Sequence, residues 1–321
     1  MRILVVGDTG FVAGYLLPSL QNSLPGAVLY GVSRHDKTHR NATVQHVPGD
    51  VADAARISVI IADIVPDVVI VLSSVSSVFE SWVDPLTCHQ INYMGVFNLC
   101  NALVQHAPSA RLLCISTLEV YGGSDDRSVA YTESSPINPK SPYAVSKAAA
   151  ELLVQQYGTS HGLRYTILRP SNHTGPGRKA SYVLSGFAKQ VAEIKLGLKE
   201  PILQVGNLGV YRDFVDVRDV VSAYVSVLLS DGVDGQVLNV CSGRAYSLSR
   251  ALDYLITAAG VNVKVELNPA LYRPADAHCI RGDNSKIRGV LGWAPLIPVE
   301  QTLRELLSFW EASSRAHIQD T

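Results

Sequence analysis

RILVVG (2–7), AVLYGVS (27–33), TVQHV (43–47), DVVIVL (67–72), RLLCIS (111–116) and RYTILRP (164–170) are short runs rich in β-branched and aliphatic residues. A strand with one wetted face alternates apolar and polar positions. These runs are close to continuously apolar, so both of their faces need cover. Helical patterns near 11–23, 52–64, 86–106 and 142–161 lie between them and supply it. Strands alternating with helices through right-handed crossovers build a doubly wound α/β fold on a parallel sheet, with ligands at the carboxyl ends of the strands.

After about residue 170 the rhythm shortens and Gly and Pro appear, in SNHTGPG and PILQVGNLG. Helices are expected over 217–230 and over 247–260, the latter capped by Ser247 and stopped by Gly260. QVLNV (236–240) and VKVEL (263–267) read as short strands. The expected division is a dinucleotide-binding domain over 1–170 and, over 171–321, mainly a smaller α/β substrate lobe with parts returning to the first sheet.

GDTGFVAG, Gly7 to Gly14, follows the first strand at once and opens a helix. Gly7 permits the tight turn and Gly10 lets a pyrophosphate approach the backbone. The helix amino end supplies N–H groups and the positive end of its dipole. Ala13, where a third glycine often stands, is small enough for helix–strand packing. This is a Rossmann phosphate turn, with Gly7, Thr9, Gly10, Phe11 and Val12 against the cofactor. Ser33-Arg34 ends the second strand where NAD enzymes place an acidic residue on the ribose. With His35, Lys37, His39 and Arg40 behind it, this end favours a 2′-phosphate and hence NADP(H), NAD(H) remaining open. Asp50 and Val51, after the third strand, suit an adenine contact. Leu72, Ser73 and Ser74 would lie under the ribose and phosphates.

Strand 111–116 stops on polar residues, placing Thr117 at its carboxyl end with Glu119 two positions on. Tyr143 and Lys147 open the helix after Pro142, and a spacing of four puts them on one face. A neighbouring ammonium stabilises phenolate, so Tyr143 is expected to titrate below its ordinary ~10 and to serve as an acid/base. A parallel sheet brings Thr117 to the same edge.

Composition narrows the partners. A formal net charge of −1 gives no electrostatic reason to expect nucleic acid or an acidic membrane surface. No apolar run approaches the roughly 18 residues of a spanning helix, and Met1-Arg2 leads into a run too short for a signal sequence. The five cysteines, Cys88, Cys100, Cys114, Cys241 and Cys279, are odd in number and form no C-x-x-C pair. They read as buried thiols in a reducing cytoplasm. No histidine spacing suggests a metal site.

GDTGFVAG, STLEVYG, SPYAVSK and LRPSNHTGPG together resemble an extended short-chain dehydrogenase/reductase. VGNLGVYRDFVDVRDVVSAY, ELNPALYRPAD and LGWAPLIPVEQTL carry the resemblance through the second half, toward the GDP-6-deoxy-4-keto-D-mannose reductases. The resemblance implies Tyr143 as general acid/base, Lys147 on the nicotinamide ribose and Thr117 on the substrate oxygen. Ile115 and Arg169 join the cofactor set, with the nicotinamide near Arg169 to Asn172. Asn172 and His173 would face the sugar, and Lys189, Arg212 and Arg273 would receive the nucleotide diphosphate. Asp276 stands where relatives commonly have glutamate. The implied reaction is NADPH-dependent reduction of a GDP-4-keto-6-deoxy hexose to GDP-D-rhamnose or its C4 epimer, GDP-6-deoxy-D-talose. Glu119 also matches the STSELYG of GDP-mannose 4,6-dehydratases, so dehydration and 4-epimerisation stay open, as does a non-catalytic dinucleotide sensor. The resemblance further implies a homodimer through helices 86–106 and 142–161.

Overall fold

The computed structural model describes residues 1–34, 43–272 and 277–319. Six strands form in the first half, at β1 (Arg2–Val6), β2 (Val28–Ser33), β3 (Val44–Pro48), β4 (Val68–Val71), β5 (Arg111–Ile115) and β6 (Arg164–Pro170). The helices between them are α1 (Phe11–Ser23), α2 (Ala54–Ile64), α3 (Val78–Val83), α4 (Pro85–His89), α5 (Gly95–His106) and α6 (Pro142–His161). The expected single helix over 86–106 is instead α4 and α5 joined by a π-helical turn at Gln90–Met94.

The second half adds β7 (Asn172–Thr174), α7 (Val183–Lys195), β8 (Ile202–Val205), β9 (Tyr211–Asp216), α8 (Val217–Leu229) and β10 (Gln236–Val240). It continues with β11 (Ala245–Ser247), α9 (Leu248–Ala259), β12 (Lys264–Leu267), β13 (Cys279–Ile280), α10 (Ser285–Leu291) and α11 (Val299–Gln319). Ser247 accepts from the Arg250 N–H at 3.1 Å to start α9, and Gly260 ends it at φ 68°.

The large sheet is parallel and ordered β10-β6-β5-β4-β1-β2-β3. Its order reverses between β1 and β4, and a crevice opens there at the strand ends. Alternate residues of each strand feed two cores. Ile3, Val5 and Leu168 pack on the α1 and α8 side with Leu16, Leu20 and Tyr224. Leu4, Val6 and Ile167 pack on the other side with Ile60, Ile61, Leu99 and Leu103. β10 comes from residues 236–240 yet pairs with β6, Gln236 beside Thr166 through Val240 beside Pro170.

At Ser171 the chain leaves this sheet for a smaller one. β7 pairs with β9, which also carries β11 and β13. β8 and β12 form a separate parallel pair. α7, α9 and α11 enclose a third core around Phe187, Leu203, Leu255 and Leu306. On the helices expected to carry a dimer contact, Val96, Leu99, Leu103 and Ala148 are buried within the chain, whereas Leu152 is 59% exposed.

Candidate active site

β1 delivers Gly7 to the crevice at φ 94°, the left-handed region that favours glycine. A Cβ there would stand 2.5 Å from the Ser73 backbone nitrogen, so no other residue fits this turn without moving the floor of the crevice. The Gly7 N–H is bound to the Val32 carbonyl at 2.7 Å. Gly10 caps α1 with no side-chain hydrogen bond, and the first turn holds no acidic residue. First-turn amides are therefore left for a ligand. Asp8, the one charge in the turn, points inward: Oδ2 meets His46 Nδ1 at 2.8 Å beneath Gly31.

Gly7 and Gly10 line a cleft of about 640 Å³. Thr9, Gly10, Phe11 and Val12 form its turn end, and Ser33, Arg34, Asp50, Val51, Leu72, Ser73, Ser74 and Ile115 continue the wall. Asp50 accepts from the Ala52 N–H at 3.0 Å. The Ser73 hydroxyl is buried without a hydrogen-bond partner. An open helix end, a glycine cradle and an orphaned hydroxyl suit the phosphates and ribose of a dinucleotide. His35, Lys37, His39 and Arg40 lie outside the described residues.

Asn92, which the sequence reading missed, locks the loop after β4. Its Oδ1 accepts from Ser74 Oγ at 3.0 Å and from the Val75 N–H at 2.9 Å, while Nδ2 donates to Ser146 Oγ at 3.0 Å. The π turn places this side chain, a known use of such turns at functional sites. No spacing in the sequence announces a π turn.

Two residues past the end of β5, Thr117 Oγ1 accepts from the Glu119 N–H at 3.2 Å and starts a short 3-10 turn. Ser141 caps α6 by accepting from the Ala144 N–H at 3.1 Å, and Pro142 fits the first position. Tyr143 and Lys147 therefore sit in the first two turns of α6, both buried and both on the cleft wall with Thr117 and Glu119. The Thr117 hydroxyl is close enough to the Tyr143 phenol to act on it. Lys147 Nζ donates to the Ile115 carbonyl at 2.8 Å.

The sign of the phenol shift differs from the sequence expectation. Burial is the largest influence and pushes Tyr143 well above its usual value. The Thr117 hydroxyl lowers it, Glu119 raises it and Arg178 lowers it, so an arginine rather than Lys147 is the leading cation acting on the phenol. Burial in turn holds Lys147 below the ordinary lysine range. A phenol held high keeps its proton at neutral pH, which suits a proton donor.

Asn172 and His173 lie on the cleft wall. His173 Nδ1 faces the Ser171 carbonyl at 3.0 Å, which fixes that nitrogen as the donor. Burial, then the Arg178 charge, push its pKa down to about 4, so the ring is neutral at pH 7. Arg178 and Tyr182 also line the cleft and were not foreseen, since no periodicity aims side chains in a loop.

Other expectations are corrected. The Arg169 side chain is not on this wall. Its Nη2 meets Glu151 Oε2 at 2.6 Å and its Nη1 donates to the Tyr121 hydroxyl at 2.7 Å, all buried. In a strand, neighbours alternate faces: Leu168 goes to the α1 side, so Ile167 and Arg169 face α6, which carries Glu151. Lys189 lies over the Trp310 ring at 5.5 Å and pairs loosely with Glu193, away from the cleft wall. Arg212 is buried in β9 and donates to the Tyr211 and Ala277 carbonyls at 2.8 and 2.9 Å. Arg273 and Asp276 lie outside the described residues.

Residues 4–306 match the family model described as GDP-mannose 4,6 dehydratase. The chain is 37% identical to a GDP-6-deoxy-D-mannose reductase of Pseudomonas aeruginosa, over 98% of each protein. It is 26% identical to a GDP-mannose 4,6-dehydratase of Vibrio cholerae, over 95% of this chain and 92% of that one. The solved structure of RMD from Pseudomonas aeruginosa complexed with NADPH superposes with a TM-score of 0.81 at 35% identity, covering 97% and 99% of the two chains. A Thermus thermophilus UDP-glucose 4-epimerase complexed with NAD gives 0.87 at 27% identity, covering 98% and 100%. With its glycine turn, threonine, tyrosine and lysine gathered on one crevice, the chain belongs to the GDP-mannose 4,6-dehydratase family of short-chain dehydrogenase/reductases.

Proposed function

We propose that this chain reduces the C4 ketone of GDP-4-keto-6-deoxy-D-mannose with NADPH, giving GDP-D-rhamnose or its C4 epimer GDP-6-deoxy-D-talose. The observation that carries this reading is the Tyr143 phenol, buried beside Thr117 and held in its protonated form on the wall of a cleft that opens at the glycine turn. The 37% identity to a reductase acting on such a sugar favours this member of the family.

Gly7 and the open amides of Thr9 to Val12 would hold the diphosphate, Asp50 and Val51 the adenine, Ser33 and Arg34 the 2′-phosphate, and Lys147 the nicotinamide ribose. The nicotinamide supplies a hydride when bound. The chain's own part is to fix the ketone and deliver a proton. Thr117 donates to the ketone oxygen and Tyr143 gives up its phenolic proton as negative charge grows there. Glu119 would accept from a sugar hydroxyl and set the ring's orientation. Asn172 and neutral His173 face the same space.

A second reading rests on Glu119, whose carboxylate stands on the same wall as Tyr143. A base at that place could remove an acidic sugar proton, as a 4,6-dehydratase requires. One experiment separates the two. Incubation with NADPH and GDP-4-keto-6-deoxymannose should consume one NADPH per ketone. Conversion of GDP-mannose to the keto sugar with no net cofactor consumption would replace reduction by dehydration.

The proposal extends to a homodimer. α3, α4 and α6 pack together and carry exposed Phe79, Trp82, Val83, Leu86, Val145 and Leu152. Such an apolar surface fits a second copy. A cytoplasmic setting is consistent with five free, buried cysteines. No helix among the described residues is long and apolar enough to cross a membrane.

A further inference from the structure

The face of α6 that meets β5 does not end at Lys147. Glu151 lies one turn further on, so Tyr143, Lys147 and Glu151 follow one another at a spacing of four along one side of the helix. The Glu151 carboxylate is fully buried and stands off the cleft wall, so the chemistry proposed above gives it no part.

Its hydrogen bonds converge on the stretch of chain that carries Thr117 and Glu119. Oε1 accepts from the hydroxyl of Ser116, the residue immediately before Thr117. Both carboxylate oxygens accept from Arg169, from Nε at 3.0 and 3.1 Å and from Nη2 at 2.6 Å. Arg169 Nη1 carries the connection to the Tyr121 hydroxyl at 2.7 Å, and that hydroxyl donates to Asn239 Oδ1 on β10 at 2.8 Å. Tyr121 ends the 3-10 turn that Thr117 caps, and its ring stacks on Tyr131 with centroids 4.9 Å apart. One carboxylate thus holds both ends of segment 116–121, Ser116 directly and Tyr121 through Arg169.

Burying a carboxylate with a guanidinium is expensive, and a packed apolar pair of similar volume commonly serves stability as well or better. An apolar pair would not supply a directed bond to the Ser116 hydroxyl and another to the Tyr121 hydroxyl. Between those two bonds stand Thr117 and Glu119, which share the cleft wall with Tyr143.

We propose that Glu151 is a positioning residue of the reaction: with Arg169 it clamps segment 116–121 to the helix that carries Tyr143, and so holds Thr117 and Glu119 in working register with the phenol. This rests on the reading that Thr117 and Tyr143 act on the ketone. Lys147 secures the backbone at Ile115, and Glu151 secures the turn beyond it.

Ser116→Ala and Tyr121→Phe each open one arm of the clamp by deleting a single oxygen, and both leave the Glu151–Arg169 pair in place. Each should lower kcat for the keto sugar about 5- to 30-fold, since misplacing reacting groups by about 1 Å costs on the order of 100-fold. The dissociation constant of NADPH should stay within twofold, because both hydroxyls are turned into the buried network and away from the cleft. A role in stability alone would lower Tm and leave kcat within twofold of wild type at temperatures well below it, and that result would overturn the proposal. So would a fall in kcat matched by an equal loss of NADPH affinity, which would mean that the whole cleft had been disturbed. Should one variant fail to fold, the other is judged by the same two measurements. Failure of the wild-type chain to oxidise NADPH with the keto sugar would remove the reductase reading itself, whereas wild-type turnover retained in both variants removes only the clamp.

Discussion

Lys147 gives its ammonium to the Ile115 carbonyl at 2.8 Å, one helical turn past the Tyr143 phenol. The lysine thereby ties α6 to the end of β5, the strand that delivers Thr117. Its first role in the structure is to hold the threonine–tyrosine pair in register, while burial and the Thr117 hydroxyl are the two largest influences on the phenol.

Tyr143→Phe removes the proton donor and keeps the ring. Turnover of the keto sugar should fall by roughly 10²–10⁴, the usual worth of a positioned acid. NADPH affinity should stay within a few-fold, read by fluorescence titration beside steady-state rates. Near wild-type turnover would refute the proton-donor role.

Glu119→Gln tests the choice between reduction and dehydration. If the carboxylate only orients a sugar hydroxyl, the amide retains an acceptor oxygen and NADPH consumption should drop less than about 10-fold. A dehydratase would lose its base and nearly all conversion of GDP-mannose.

Gly7→Ala should damage binding and folding together. The backbone conformation alone costs an L-residue roughly 1–2 kcal/mol. The new Cβ would in addition stand 2.5 Å from Ser73 N, so the cleft floor must shift. A lower Tm together with at least tenfold weaker NADPH binding is the expected pair of results; an unchanged affinity would show that the turn does not hold the cofactor.

Glu151→Ala leaves the Arg169 guanidinium buried without its carboxylate, the pair being 2.6 Å apart at its closest. Breaking a buried pair from one side costs about 3–5 kcal/mol, so urea unfolding should show a loss of that order. A loss below 1 kcal/mol would mean that water reaches the arginine.

Stability should also depend on pH through His173. Its pKa is depressed from 6.5 to about 4 in the folded chain, so the unfolded chain binds the proton more readily. The contribution is complete above about pH 6.5 and is lost as the pH falls toward 4. His173→Gln should flatten the Tm-versus-pH curve over that window. A curve of unchanged slope would show that other groups govern the acid limb.

The sheet was legible because strands buried on both faces must be apolar throughout, and the glycine turn because its backbone admits so few residues. Tyr143 and Lys147 were legible because a spacing of four fixes one helical face. Arg169 was misplaced for the complementary reason: its position along β6 was right, but its side of the sheet depends on the two-residue alternation that sends Leu168 the other way. The phenol shift had the wrong sign because sequence shows which charges are near and not how much water the fold removes. Arg178 and Tyr182 sit in a loop, where neither period applies.

Because β10 supplies the outer neighbour of β6, the large sheet is sealed by residues that leave the ribosome some seventy positions after β6 itself. Until they arrive, β6 presents a bare row of amides and carbonyls, an invitation to pair with another nascent chain. A fragment cut at residue 170 should accordingly be sticky and short-lived, whatever its sequence suggests about an autonomous half.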